Sequence, residues 1–231
     1  MIKAICFDFF NTLTYYQPSR EQVYIDACKK HGLVLDPIML SKSLAKADIY
    51  WRDQNKQMRS SRMAALKKFP FLLEYITRVV NGCGVRINKF IALDILLRMA
   101  KIKWKFVQFD DVIPTLKNLK QQGYILGVIS NVDQDFQRSF GHMGFIEYLD
   151  FNVTSLEAGC DKPAAGIFEL ALKKAGVKAD EVVYIGDQYE QDVLGARNAG
   201  MQAILIDRNN LFADIQDCPR IQSLDQVSEH V

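Results

Sequence analysis

The sequence predicts an α/β protein: a parallel sheet with helices on both faces, and a smaller helical-bundle subdomain inserted near its start. Three observations carry this. Beyond residue 106, apolar runs alternate with helical patterns, which is how a parallel sheet covered on both faces reads. Between the first strand and that point, four helical patterns follow one another with no strand among them, as in a bundle. The 231 residues, 49% of them hydrophobic, suffice for one good-sized core plus an appended subdomain. The division predicted is 1–15 with 106–231 for the α/β core and 16–105 for the helical segment.

Taken in order, the apolar run IKAICF is a buried strand over 3–8 that ends at Asp8. Pro18 and Ser19 open a helix running to about Lys30, closed by His31-Gly32. A second helix covers 37–57. A third covers 61–81, broken or kinked near Pro70 and stopped by Asn81-Gly82. The pattern FIALDILLRM marks a fourth over 87–104. The alternating half then gives a helix at 110–122, the strand YILGVIS at 124–130, a helix at 133–143 and a short strand at 151–155. A helix at 164–175, the strand EVVYIGD at 181–187, a helix at 190–199 and the strand QAILID at 202–207 complete it. The tail after Arg208 has no clear pattern.

Composition narrows the function classes. No apolar stretch reaches the roughly 18 residues of a membrane span. No basic segment followed by a long apolar one marks a secretory signal, and the first strand begins almost at Met1, which leaves no room for a removable leader. The five cysteines are scattered, without paired spacing or companion histidines, so neither a zinc site nor a disulfide framework is expected and a reducing cytoplasm fits. Net charge is only +2, yet residues 51–105 hold 13 Lys and Arg against 3 Asp and Glu. This basic segment in an otherwise acidic chain reads either as solvated helix faces or as a surface that attracts small anions. No nucleic-acid motif accompanies it.

The polar residues that carry chemistry collect where parallel strands end: Asp8, then Ser130-Asn131, then Gly186-Asp187. In open parallel sheets those carboxyl ends line one crevice, where ligands bind. Lys162-Pro163, in the loop before a helix, lies on the same side. An aspartate behind an apolar strand is a costly ornament and a good reactive group.

Four blocks in this order, DFFNTL, VISN, the KP of GCDKPAAGIF, and GDQYEQD, resemble the haloacid dehalogenase superfamily of hydrolases. The resemblance spans Asp8 to Asp192. It implies a Rossmann-like core, and it makes the helical segment after the first strand a cap domain. It implies that Asp8 is a nucleophile that forms an aspartyl-phosphate, later cleaved by water. Ser130 and the backbone N–H of Asn131 then bind the phosphoryl oxygens, and Thr12 shapes the loop after Asp8 and belongs to the same phosphate-binding group. Lys162 neutralises the transferring group. Asp8, Asp187 and Asp192 in one crevice require a compensating cation, and an all-oxygen donor set with phosphate chemistry points to Mg2+. The resemblance adds the backbone carbonyl of Phe10 to that metal site; the positive charge of the cap suggests a small anionic substrate entering between cap and core. Arg52, Arg59 and Arg62 are candidates for its contacts by charge alone.

One residue departs from the family's phosphatases. Two positions after the nucleophile they carry a second aspartate, an acid for the leaving alcohol and a base for water; here it is Phe10. General acid–base help is worth about 10²–10⁴-fold. Alkyl phosphates should suffer from its loss, and acyl or aryl phosphates should not. An aromatic residue at that place resembles the family's 2-haloacid dehalogenases, which attack with the same aspartate and need no metal. The acidic pair of GDQYEQD opposes that rival. A third reading is a catalytically weakened member that binds a phosphorylated ligand or a partner.

Overall fold

A computed structural model describes residues 1–59, 64–132 and 136–231, with the side chains at 49, 52–68 and 137 left aside. Arg62, and the side chains of Arg52 and Arg59, therefore lie outside the described residues. The chain forms two compact units, one of Met1–Tyr15 with Phe106–Val231 and one of Tyr16–Lys105.

The first unit is built on a six-stranded sheet. Its strands are β1 (Ala4–Phe7), β4 (Ile125–Ser130), β5 (Phe151–Thr154), β6 (Val182–Gly186), β7 (Gln202–Ile206) and β8 (Arg220–Ile221), in the order β5-β4-β1-β6-β7-β8. Every pairing is parallel, with Phe7 opposite Val128 on one side and Ile185 on the other. The α/β fold read from the sequence is the fold of the protein. Two further short strands, β2 (Thr14–Gln17) and β3 (Lys105–Gln108), pair as a separate ribbon.

Side-chain alternation splits the core into two layers, because successive residues of a strand face opposite ways. Ile5, Phe7, Val183, Ile185, Ile204 and Ile206 join one cluster with Val112, Leu116 and Leu119 of α5 (Val112–Gln121) and Phe136 and Phe140 of α6 (Phe136–Phe140). Ala4, Cys6, Tyr184, Ala203 and Leu205 join the other, with Ile167, Phe168 and Ala171 of α8 (Ala165–Ala175) and Ala196 of α9 (Leu194–Asn198). A single turn, α7 (Ser155–Ala158), follows β5.

The second unit holds α1 (Arg20–Lys29), α2 (Pro37–Arg59), α3 (Ala64–Asn81) and α4 (Lys89–Ala100). Ser19 caps α1 by accepting from the Gln22 N–H, and Asn88 caps α4 by accepting from those of Phe90 and Ile91, each satisfying orphan donors of a first turn. Tyr24, Leu40, Leu44, Ile76, Val79, Ala92 and Ile95 form its core. At one side of it Arg20 grips Asp48 through two hydrogen bonds of 2.8 and 2.9 Å, and the Tyr75 hydroxyl joins the pair.

Several elements depart from the sequence reading. The third helix runs through Pro70 without a break, and its predicted start at 61 lies outside the described residues. The fourth stops at Ala100, well before 104. The helix expected at 133–143 is described only as α6, residues 133–135 being outside the described set. The segment expected as one helix over 190–199 begins instead as a wide π turn, Tyr189–Val193, before α9. No helix among the described residues is long and apolar enough to cross a membrane.

Candidate active site

All the described site residues belong to the first unit, and Asp8, Ser130 and Asp187 are set by the ends of strands. Asp8 follows β1 and its N–H donates to the Ile185 carbonyl at 2.8 Å, which ties it to β6. Asp187 follows β6 directly. Ser130 is the last residue of β4, buried and opposite Thr154 of β5.

Lys162 reaches the same place from the loop before α8 and is only 3% exposed. Its ammonium donates to Asp8 Oδ1 at 2.5 Å, to Asp192 Oδ1 at 2.6 Å and to the Tyr184 hydroxyl at 2.8 Å. A buried cation costs several kcal/mol unless it is paired and hydrogen-bonded. Two carboxylates meet that cost: burial alone lowers the Lys162 pKa, but the charges of Asp192 and Asp8 outweigh it and keep the ammonium protonated.

Asn131 fixes the backbone of that lysine. Its Oδ1 accepts from the Lys162 N–H at 2.7 Å, and its Nδ2 donates to the Lys162 carbonyl at 3.2 Å and to Gln191 Oε1 at 3.3 Å. Asp192 comes from the π turn, where the wider coil buries Gln191 and Asp192 side by side. The Asp192 carboxylate folds back over Gly186; a Cβ on that glycine would lie 2.3 Å from Asp192 Cγ. Its second oxygen accepts from the Gln188 N–H at 3.0 Å.

Asp187 is held differently. Its Oδ2 accepts from Asn11 Nδ2 at 3.1 Å, while its Oδ1 is buried with no hydrogen-bond partner. Asn11 sits at φ 59°, a left-handed conformation that asparagine tolerates better than most residues. Thr12, next along, is fully buried; its hydroxyl is unpartnered and its carbonyl accepts from Arg208 at 2.7 Å. The Phe10 ring packs on Phe9, Phe106 and Phe140.

The structure thus brings Asp8, Lys162, Asp187 and Asp192 together, with Asn131 one bond behind. Oxygens of the three aspartates lie within 4.8 Å of one another. Burial pushes Asp8 up to about 6, against the pull of Lys162 and with the charge of Asp192 adding to it. Burial, then the charges of Asp8 and Asp192, push Asp187 well above the usual carboxylate range. Three close carboxylates beside one ammonium leave negative charge unbalanced, and an orphaned carboxylate oxygen stands among them. That all-oxygen donor set fits a hard divalent cation such as Mg2+. Tyr184, Asn11 and Gln191 were not legible as site residues: a tyrosine in an apolar strand reads as a strand former, and the other two as turn and helix surface.

Comparison with known proteins gives the chain's relatives. The family profile described as haloacid dehalogenase-like hydrolase matches residues 2–200. A protein named glyceraldehyde 3-phosphate phosphatase, from Methanothermobacter thermautotrophicus, is 42% identical over 129 residues, covering 52% of this chain. The match spans only 57% of that archaeal protein. Among solved structures, a phosphatase from Thermococcus onnurineus superposes with a TM-score of 0.56 at 22% identity, covering 99% of this chain and 97% of its own. A 2-haloacid dehalogenase from Pseudomonas syringae does so with a TM-score of 0.58 at 24% identity, with the same coverages. The fold is shared by a phosphatase and a dehalogenase alike, so chemistry has to be argued from the site.

Proposed function

We propose that this chain, which belongs to the haloacid dehalogenase-like hydrolase family through its match over residues 2–200, is a Mg2+-dependent phosphatase for a small phosphorylated substrate. One observation carries the reading. The Lys162 ammonium bridges Asp8 and Asp192 while the Asp187 Oδ1, buried beside them, has no partner. A dehalogenase needs no such surplus of carboxylate, and a carboxylate-bearing substrate would be repelled by it. The phosphatase name of the archaeal relative points the same way.

In this reading Asp8, Asp187 and the Phe10 carbonyl would hold the cation, and Asp192, whose oxygens already accept from Lys162 and Gln188, would support it directly or through water. When bound, Mg2+ supplies positive charge against the phosphoryl oxygens. Asp8 Oδ attacks phosphorus, the leaving oxygen departs, and an aspartyl-phosphate forms on Asp8. Water then cleaves it and frees the carboxylate. Lys162 offsets the charge that builds on the equatorial oxygens. Ser130 and the Asn131 N–H hold those oxygens, and Thr12 keeps the loop after Asp8 in shape. The helical unit acts as the cap, and its basic residues draw in an anionic substrate.

The test is a panel with and without Mg2+: p-nitrophenyl phosphate, acetyl phosphate, glyceraldehyde 3-phosphate and L-2-chloropropionate. Phosphate release that EDTA abolishes is expected, fastest with the acyl and aryl substrates. Chloride release that ignores EDTA would instead assign the dehalogenase chemistry that Phe10 favours. Silence with all four, and phosphate still bound, would make the chain a binding protein.

A further inference from the structure

Tyr184 stands in the middle of β6, VVYIG, among aliphatic residues, and is fully buried. A buried tyrosine hydroxyl needs partners. This one has three: Lys162 Nζ at 2.8 Å, the Ile129 carbonyl at 3.1 Å and Asp192 Oδ1 at 3.1 Å. Proton counting fixes the roles. An ammonium has three N–H donors and no lone pair. The acceptors around Lys162 are Asp8 Oδ1, Asp192 Oδ1 and the Tyr184 oxygen, so all three donors are spent. Tyr184 therefore accepts from Lys162, and its single proton goes to Ile129 or Asp192.

The consequence is directional. With only the two carboxylates as acceptors, the ammonium is free to swing about the line that joins them. A third acceptor on another side removes that freedom. The acceptor is itself immobile: its ring lies edge-on to Phe168 of α8, 5.4 Å between centroids at 83°. Its Ile129 partner is the residue before Ser130 on β4, so one oxygen joins three of the four sequence blocks that meet at Asp8.

We propose that Tyr184 is a positioning residue, whose hydroxyl aims the Lys162 ammonium between Asp8 and Asp192. The inference rests on the phosphatase reading for its kinetic consequence only. A merely structural hydroxyl, satisfied in the core, would affect melting temperature and nothing else.

Tyr184→Phe removes one oxygen and keeps the ring. A crystal structure of this variant gives the first measurement, independent of activity: Lys162 Nζ is expected to lose its contact with one of the two carboxylates. Retention of both at their present lengths overturns the proposal. The second measurement is kinetic, with p-nitrophenyl phosphate at saturating Mg2+. kcat is expected to fall about 10–100-fold, the usual cost of an outer-shell partner, with KM changed less than about threefold. A folded variant whose kcat falls by less than about tenfold overturns it too. The third is a cycle with Lys162→Met, read as affinity for inorganic phosphate by calorimetry. Tyr184→Phe should weaken binding in the parent and leave it unchanged in the Lys162→Met background. Equal losses in both backgrounds mean that Tyr184 does not act through Lys162. If the parent releases no phosphate from any substrate, the phosphatase reading fails alone, and the crystal structure still decides the role of Tyr184.

Discussion

At position 10 a phenylalanine ring lies edge-on to Phe9 with centroids 4.9 Å apart, and tilted against Phe106 at 5.2 Å. It is part of an aromatic cluster two residues from Asp8 and has no proton to give. Leaving groups that depart as stable anions do not need one; alkoxides do. Phe10→Asp should therefore raise turnover of alkyl phosphates by about 10²-fold and that of acetyl phosphate by less than about threefold. Its price is lost ring contacts, about 1–3 kcal/mol of stability by thermal melting. Equal gains for both substrates would remove the proton-relay argument. Residue-scale legibility follows burial. Asp8, Asp187 and Lys162 can be picked out because a charged group at the end of an apolar strand, or in the loop facing it, conflicts with ordinary packing. Asn11 cannot, because its partner Asp187 is 176 positions away and its left-handed backbone leaves no mark that separates it from any turn asparagine.

The element that places Asp192 beside Asp8 and Lys162 is the π turn after β6. An ordinary helix start would satisfy the same sequence, and the 3.6-residue pattern of 190–199 is compatible with both. What distinguishes them is Gly186, whose missing Cβ leaves room for the Asp192 carboxylate. Gly186→Ala places a methyl about where that carboxylate lies. It should weaken Mg2+ binding by about tenfold or more in calorimetry, with a stability loss of about 1–3 kcal/mol from overpacking. Unchanged Mg2+ affinity would show that Asp192 need not occupy its present position. The same logic explains which elements were readable. β1, β4, β6 and β7 are buried on both faces over nearly their whole length and appear as near-continuous apolar runs. β2, TYYQ, and β3, KFVQ, are short and half-exposed, and β8 has two residues, so neither periodicity nor hydrophobicity marks them.

At the scale of the whole first unit, the question is what holds a chain end with no long element in it. Leu224 and Val227 insert into the core, and a half-buried ion pair anchors the rest. Arg208, just past β7, donates to both oxygens of Asp111 at 2.8 and 3.0 Å, to the Thr12 carbonyl at 2.7 Å, and lies over the Phe109 ring. Asp111 also accepts from the Ser223 hydroxyl and the Leu224 N–H, both at 2.9 Å. Four remote segments, including the loop after Asp8 through Arg208, are thus tied together by one ion pair. Burial by itself pushes Asp111 up, but the Arg208 hydrogen bonds, then the Leu224 N–H and Ser223, outweigh it and hold the carboxyl below its usual range. A depressed folded pKa means that the stabilisation is complete above the unfolded value of about 3.9 and is lost as pH falls through the lower folded one. Asp111→Ala should therefore cost about 2–3 kcal/mol at neutral pH, since it also strands the Arg208 guanidinium. Urea unfolding at pH 7 and again near pH 2 checks this. The gap between parent and variant should shrink at the acid end, where the parent's own Asp111 takes up its proton. A gap of the same size at both pH values would mean that packing of the tail, and not this carboxylate, closes the unit.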